Sequence, residues 1–127
     1  MKRILFLMIV LFTAGIVSAQ QKEASITVTD SAVHDFGDIK EADGDVSHTF
    51  TVINNGELPL VISRVVASCG CTTPVWTKEP IAPGKTGEVT VTYHTAGRPG
   101  PFARTASVYS NGKTGNYVLT IKGDVKQ

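Results

Sequence analysis

The feature that most restricts how this chain can fold is a two-residue alternation of apolar and polar side chains. It recurs in short runs, each cut off by a cluster of glycine, proline or asparagine. In "VSHTFTVI" (46–53) Val46, His48, Phe50 and Val52 share one side, and in "GEVTVTYH" (87–94) Val89, Val91 and Tyr93 do so. The same texture runs through "SITVT" (25–29), "VHDFGDI" (33–39), "LVISRVVAS" (60–68), "FARTASVYS" (102–110) and "NYVLTIKGDV" (116–125). Alternation rich in Val, Ile, Thr and Tyr suits a pleated, half-buried strand, and no window carries a helical stripe. The breaks "NNGELP" (54–59), "APGK" (82–85), "GRPGP" (97–101) and "NGKTG" (111–115) hold the residues that turns require. Pro83-Gly84 fits the centre of a type II turn, and Asn111-Gly112 is a hairpin signal.

About seven short strands with frequent turns predict an all-β fold, an immunoglobulin-like antiparallel β-sandwich. The predicted interior contains Val46, Phe50, Val52, Leu60, Ile62, Val89, Val91, Val108, Leu119 and Ile121. Runs 46–53 and 60–68 are expected to pair as a hairpin about residues 56–57, which sets His48 opposite residues 65–66. The Cys-to-Cys span that bridges the two sheets of antibody domains is missing, and Trp76 is expected in a loop over 72–78 rather than in a strand.

The N-terminus predicts the compartment. "MKR" is a short basic segment, "ILFLMIVLFTAGIV" is apolar throughout, and Val17 and Ala19 are small residues just ahead of Gln20. This is the layout of a secretory signal peptide, over residues 1–19, cleaved between Ala19 and Gln20. The apolar run falls short of the roughly 20 residues of a bilayer span. No cysteine follows it to accept a lipid. The expectation is therefore a soluble exported protein, periplasmic or extracellular and not a lipoprotein, with no membrane span after cleavage. A flexible tail is expected over 20–25 and one domain over 26–127. Removing the leader takes away Lys2 and Arg3 and no acid, so the formal charge moves from +1 to −1. A balance this even offers nothing for nucleic acid or an anionic surface to grip.

The only two cysteines stand in "ASCGCTTP" (67–74), one glycine apart. An exported protein with two cysteines is expected to join them, here Cys69 to Cys71. So small a loop is a weak staple, worth roughly 1.6 kcal/mol at best. Gly70 is expected to bend the chain through positive φ. Two thiolates on one side of a bend also suit a soft cation such as Cu(I) or Zn²⁺, with His48 as candidate third ligand. Thiol exchange is a further possibility, although the helix N-terminus that activates Cys-x-x-Cys sites is lacking. His48 otherwise ends an apolar face, and His34 and His94 stand alone. The acidic run Asp35, Asp38, Glu41, Asp43 and Asp45 does not have the spacing of a calcium loop. Arg98 and Arg104 flank Phe102 in "RPGPFAR" (98–104), where they are able to grip a partner or simply lead into a strand. No hydrolase, phosphate-loop, dinucleotide or zinc-protease motif occurs.

The segments "FGDI" (36–39), "VSHTFTVINNGELPLVISRVVASCGCTTP" (46–74), "IAPGKTGEVTVTY" (81–93) and "GDV" (123–125) resemble a family of secreted bacterial proteins, domain of unknown function 1573. The resemblance implies a seven-stranded sandwich related in style to pilus-chaperone and major-sperm-protein domains, and a place in the bacterial envelope. It implies no reaction. The function expected from residues and resemblance together is a non-enzymatic exported module that binds an envelope protein or surface polymer, without a cofactor. The alternative is a soft-metal or thiol-redox protein built on the Cys-Gly-Cys pair.

Overall fold

The structure, a computed structural model, describes residues 22–127. The signal peptide and its cleavage site lie outside the described residues. Eight strands follow in order: β1 (Ile26–Val28), β2 (Val33–Lys40), β3 (Val46–Asn54), β4 (Ile62–Ala67), β5 (Thr72–Trp76), β6 (Thr86–Tyr93), β7 (Gly100–Ser110) and β8 (Asn116–Lys126). A single 3₁₀ turn, Glu41–Asp43, links β2 to β3. The strands form two sheets, ordered β1-β3-β6-β5 and β2-β8-β7-β4. This is the expected all-β sandwich. Among the described residues no helix is long and apolar enough to cross a membrane.

The alternation explains the core. Phe50, Val52, Val89, Val91 and Tyr93 face inward from one sheet, and Val65, Phe102, Ala106, Val108, Leu119, Ile121 and Val125 from the other; all are buried. Tyr93 stacks on Phe102 across the gap, ring centroids 3.8 Å apart. Each buried Val, Leu, Ile or Phe among them contributes about 1.5–3 kcal/mol through burial. Of the predicted interior residues, only Val46 is half-exposed, near the start of its strand.

Several expectations are corrected. The 46–53/60–68 hairpin does not form: β3 pairs with β1 and β6, whereas β4 pairs with β7 in the opposite sheet. The connecting loop instead sends Leu60, fully buried, into a bridge with Ile81, so the chain crosses between layers before β4 begins. The sandwich is not wholly antiparallel, because β2 runs parallel to β8. The segment expected as a loop over 72–78 contains β5, with Pro74 and Trp76 inside it. Edge position makes this possible, since β5 pairs only with β6 and a proline is tolerated where its missing N–H faces outward.

The expected tail over 20–25 is packed at its C-terminal part. Ala24 is buried at 2% exposure, and the carbonyls of Glu23, Ala24 and Ser25 accept from Glu57, Lys113 and Asn55. Gly56 makes room for this segment: a Cβ there would collide with the Glu23 and Ala24 backbone. The Asn111-Gly112 turn exists as part of a longer loop, whose left-handed residue is Gly115.

Candidate functional site

The motif residues shared with the resembling family divide into scaffold and chemistry. Asn54 is scaffold. It is fully buried, its Nδ2 donates to the carbonyls of Leu58 (2.7 Å) and Ile81 (2.9 Å), and its Oδ1 accepts from Ser25 N–H (3.2 Å) and Gly56 N–H (2.9 Å). Gly84 takes the left-handed conformation that the expected type II turn needs, at φ 76°. These residues hold loops together.

The Cys-Gly-Cys corner is different. It lies between β4 and β5, where the chain leaves the edge of one sheet and enters the edge of the other. Cys69 and Cys71 face each other with Cα atoms 5.2 Å apart, within the span a disulfide requires. Gly70 does not use positive φ, contrary to expectation, and open space surrounds it. The bend is held by hydrogen bonds instead: Cys71 N–H donates to Cys69 Sγ (3.2 Å), and Thr72 N–H to the Cys69 carbonyl (3.3 Å).

The two sulfurs have unequal surroundings. Cys71 is buried at 4% exposure and Cys69 is half-buried. Arg104 Nε donates to Cys71 Sγ at 3.3 Å, and Thr72 Oγ1 lies 3.7 Å from each sulfur. Arg104 belongs to the inward row of β7, between Phe102 and Ala106, both buried. A guanidinium in an apolar row needs a polarizable or anionic neighbour, and the Cys71 sulfur is that neighbour. Neither expectation for Arg104, gripping a partner or leading into a strand, includes this contact. The parity of Arg104 with Phe102, Ala106 and Val108 is the sequence signal that it points inward.

His48 is not near this corner. It pairs with Val91 in β3–β6 register and stacks on His34 of β2, ring centroids 3.6 Å apart and planes within 7°. The structure therefore removes His48 from the pair it was proposed to complete. Among the described residues no group of three or more His, Cys, Asp or Glu side chains is placed to hold a metal ion. The acidic run disperses: Asp35 accepts from Gly37 N–H, Glu41 from Gly97 N–H, and Asp45 pairs with His94.

His94, expected to stand alone, joins a hydroxyl–imidazole–carboxylate chain. Thr73 Oγ1 lies 2.8 Å from its Nε2 and Asp45 Oδ2 lies 2.8 Å from its Nδ1. The distances match a hydrolase relay, but such a relay also needs N–H donors free to meet an oxyanion. The neighbouring N–H groups of Thr95 and Gly97 already donate to Asp45 and Glu41. The chain ties β5, the end of β6 and the approach to β3. The hydrogen bond with His94 holds the Asp45 carboxyl below the usual carboxylate range.

The family described as "Protein of unknown function (DUF1573)" matches residues 15–125. No curated protein matches. Among solved structures, one of a protein of unknown function from Porphyromonas gingivalis W83 is similar over 81% of this chain and 47% of its own, at 18% identity and a TM-score of 0.69. The secreted serine protease VesC of Vibrio cholerae is similar over 84% of this chain and 24% of its own, at 17% identity and a TM-score of 0.55. The Vibrio cholerae VesB protease is similar over 83% of this chain and 32% of its own, at 18% identity and a TM-score of 0.59. This chain thus spans less than half the length of each, and the likeness is one of fold.

Proposed function

The chain belongs to the DUF1573 family, and from that premise we propose that it is a non-enzymatic, exported module that binds a partner protein by adding an extended segment of it to β4. The observation that carries this reading is the inequality of the four sheet edges. β1 is three residues long. β2 is irregular between Asp35 and Asp38 and carries charges. β5 contains Pro74. On either side of it, Cys71 bonds to His94, just past β6, and Thr77 to Glu88 of β6, so by alternation Pro74 presents its outer side, without a donor, to solvent. Each of these is a known way of blunting an edge.

β4 is irregular between Ile62 and Arg64, but has no such block along Val65–Ala67. Ser68 N–H donates to Thr105, so by the same alternation the main-chain groups of Val65 and Ala67 point away from β7. Val66, 46% exposed, stands beside them on the outer face. An incoming strand would gain main-chain hydrogen bonds there, with side-chain contacts at Val66 and Arg64. That the same fold makes up a minor part of longer chains also favours a module over a self-contained enzyme.

The test places a photocrosslinker at Val66 in cells and follows the purified complex by hydrogen exchange. We expect a partner whose crosslink is lost in Ala67→Pro, with the Val65 and Ala67 amides slowed in the complex. No crosslink, a crosslink that survives Ala67→Pro, or amides that exchange equally fast with and without partner would overturn strand addition.

A further inference from the structure

We propose that Cys69 and Cys71 form an exchangeable disulfide in which Cys69 is the sulfur attacked and Cys71 the leaving thiolate, held by Arg104. The two sulfurs are within bonding reach at a solvent-facing corner, and they differ in access and in charge environment. Cys69 is the more exposed, so an incoming thiolate reaches it first. Cys71 is almost wholly covered and carries the Arg104 contact at 3.3 Å. Among the described residues Arg104 has no carboxylate within ion-pair distance, and its Nη1 is spent on the Ala103 carbonyl, so its Nε–H is committed to the sulfur. Thr72 Oγ1, 3.7 Å from both sulfurs, can turn its hydroxyl to whichever becomes charged.

The exchange balances as follows. A thiolate, RS⁻, attacks Cys69 Sγ along the line of the bridge. The RS–Cys69 bond forms, the Cys69–Cys71 bond breaks, and its electron pair leaves on Cys71 Sγ, where the Arg104 guanidinium faces it. A second thiolate then attacks the R sulfur of the mixed disulfide, releasing RSSR and leaving Cys69 as a thiolate that takes a proton from water. Two electrons pass from two thiols to the bridge. In reverse, the reduced pair delivers two electrons to a disulfide. Departure is faster for a thiol of lower pKa, and a cation beside a thiolate lowers it. Arg104 thus gives the bridge a direction, in place of the helix terminus that serves Cys-x-x-Cys sites.

The experiment uses the purified protein, excess glutathione and an iodoacetamide quench, with peptide mapping by mass spectrometry. The untreated protein should lack two hydrogens, restored by reductant. The quenched intermediate should carry glutathione on Cys69 and the alkyl group on Cys71. Arg104→Gln should open the bridge about tenfold more slowly at fixed pH, and Arg104→Lys should recover part of the rate. The wild-type mapping decides the direction of attack even if an Arg104 variant fails to fold. Glutathione on Cys71, free thiols in the untreated protein, or an opening rate unchanged by a folded Arg104→Gln would each overturn the proposal.

Discussion

His48 shows how a neighbour in space changes a side chain's chemistry. Its ring lies flat on His34, while Phe36 meets His34 edge-on and Phe50 meets His48 edge-on, with centroids 4.6 and 4.7 Å apart. Burial first, and then the facing His34, push the His48 pKa below its ordinary 6.5, against a smaller pull from Asp30. The fold therefore favours neutral His48, and the unfolded chain binds more protons between the lowered value and 6.5. The stabilisation is complete above about pH 6.5 and is lost as pH falls through that window. Thermal melts from neutral to mildly acid pH should show the midpoint dropping, and His48→Gln should flatten the curve. A midpoint equally pH-dependent in His48→Gln would assign the effect elsewhere. Asp45 acts in the same direction at lower pH, because its carboxyl is held low by His94.

Among the strands, β5 carries the clearest protection against self-association. Val75 stands 62% exposed on its outer face, an apolar side chain on an edge that would otherwise invite a second chain. Pro74 interrupts the row of outward donors, and Thr72 N–H is occupied by the Cys69 carbonyl. Pro74→Val should keep the fold, since valine suits a strand, and should restore a donor at mid-edge. Size-exclusion chromatography across a concentration series should then show a shift towards larger species relative to the parent. A variant that remains as monomeric as the parent would show that Pro74 does not guard this edge. The same logic separates β4 from β5: only the unblocked one is a candidate for pairing.

For the molecule as a whole, Asn54 joins three distant segments: the N-terminal residues, the 54–59 turn and the loop before β6. All its side-chain polar groups are used, at 0% exposure. Replacing it with alanine leaves the Ser25 and Gly56 N–H groups without their acceptor, each costing about 1–3 kcal/mol when unmet. Asn54→Ala should therefore lose about 3 kcal/mol, read as a lower urea midpoint with an unchanged slope. Hydrogen exchange at Lys113, which donates to Ala24, should speed up as the N-terminal segment loosens. A loss below about 1 kcal/mol would mean that water replaces the side chain in this network.

What the sequence determined was whatever depends on a residue and its near neighbours. Alternation assigned inward and outward faces, turn residues marked most of the joints, and from these followed the sandwich and nearly all of its predicted interior. The closeness of Cys69 and Cys71 followed from their spacing. Tertiary structure decided which strand lies beside which. A period of two says which face a side chain takes and nothing of its neighbour across the ladder or the opposite sheet. That is why the sequence suggests a β3–β4 hairpin where the fold sets the two in opposite sheets, and carries no sign of the parallel β2–β8 pair. It is also why the segment 72–78 suggests a loop, when Pro74's place at a sheet edge lets it stand inside a strand. The contacts that carry the chemistry, Arg104 on Cys71 and His34 on His48, join residues across the two sheets. They arise only because two sheets must bury their inner faces against each other, and packing of that kind leaves no local pattern to read.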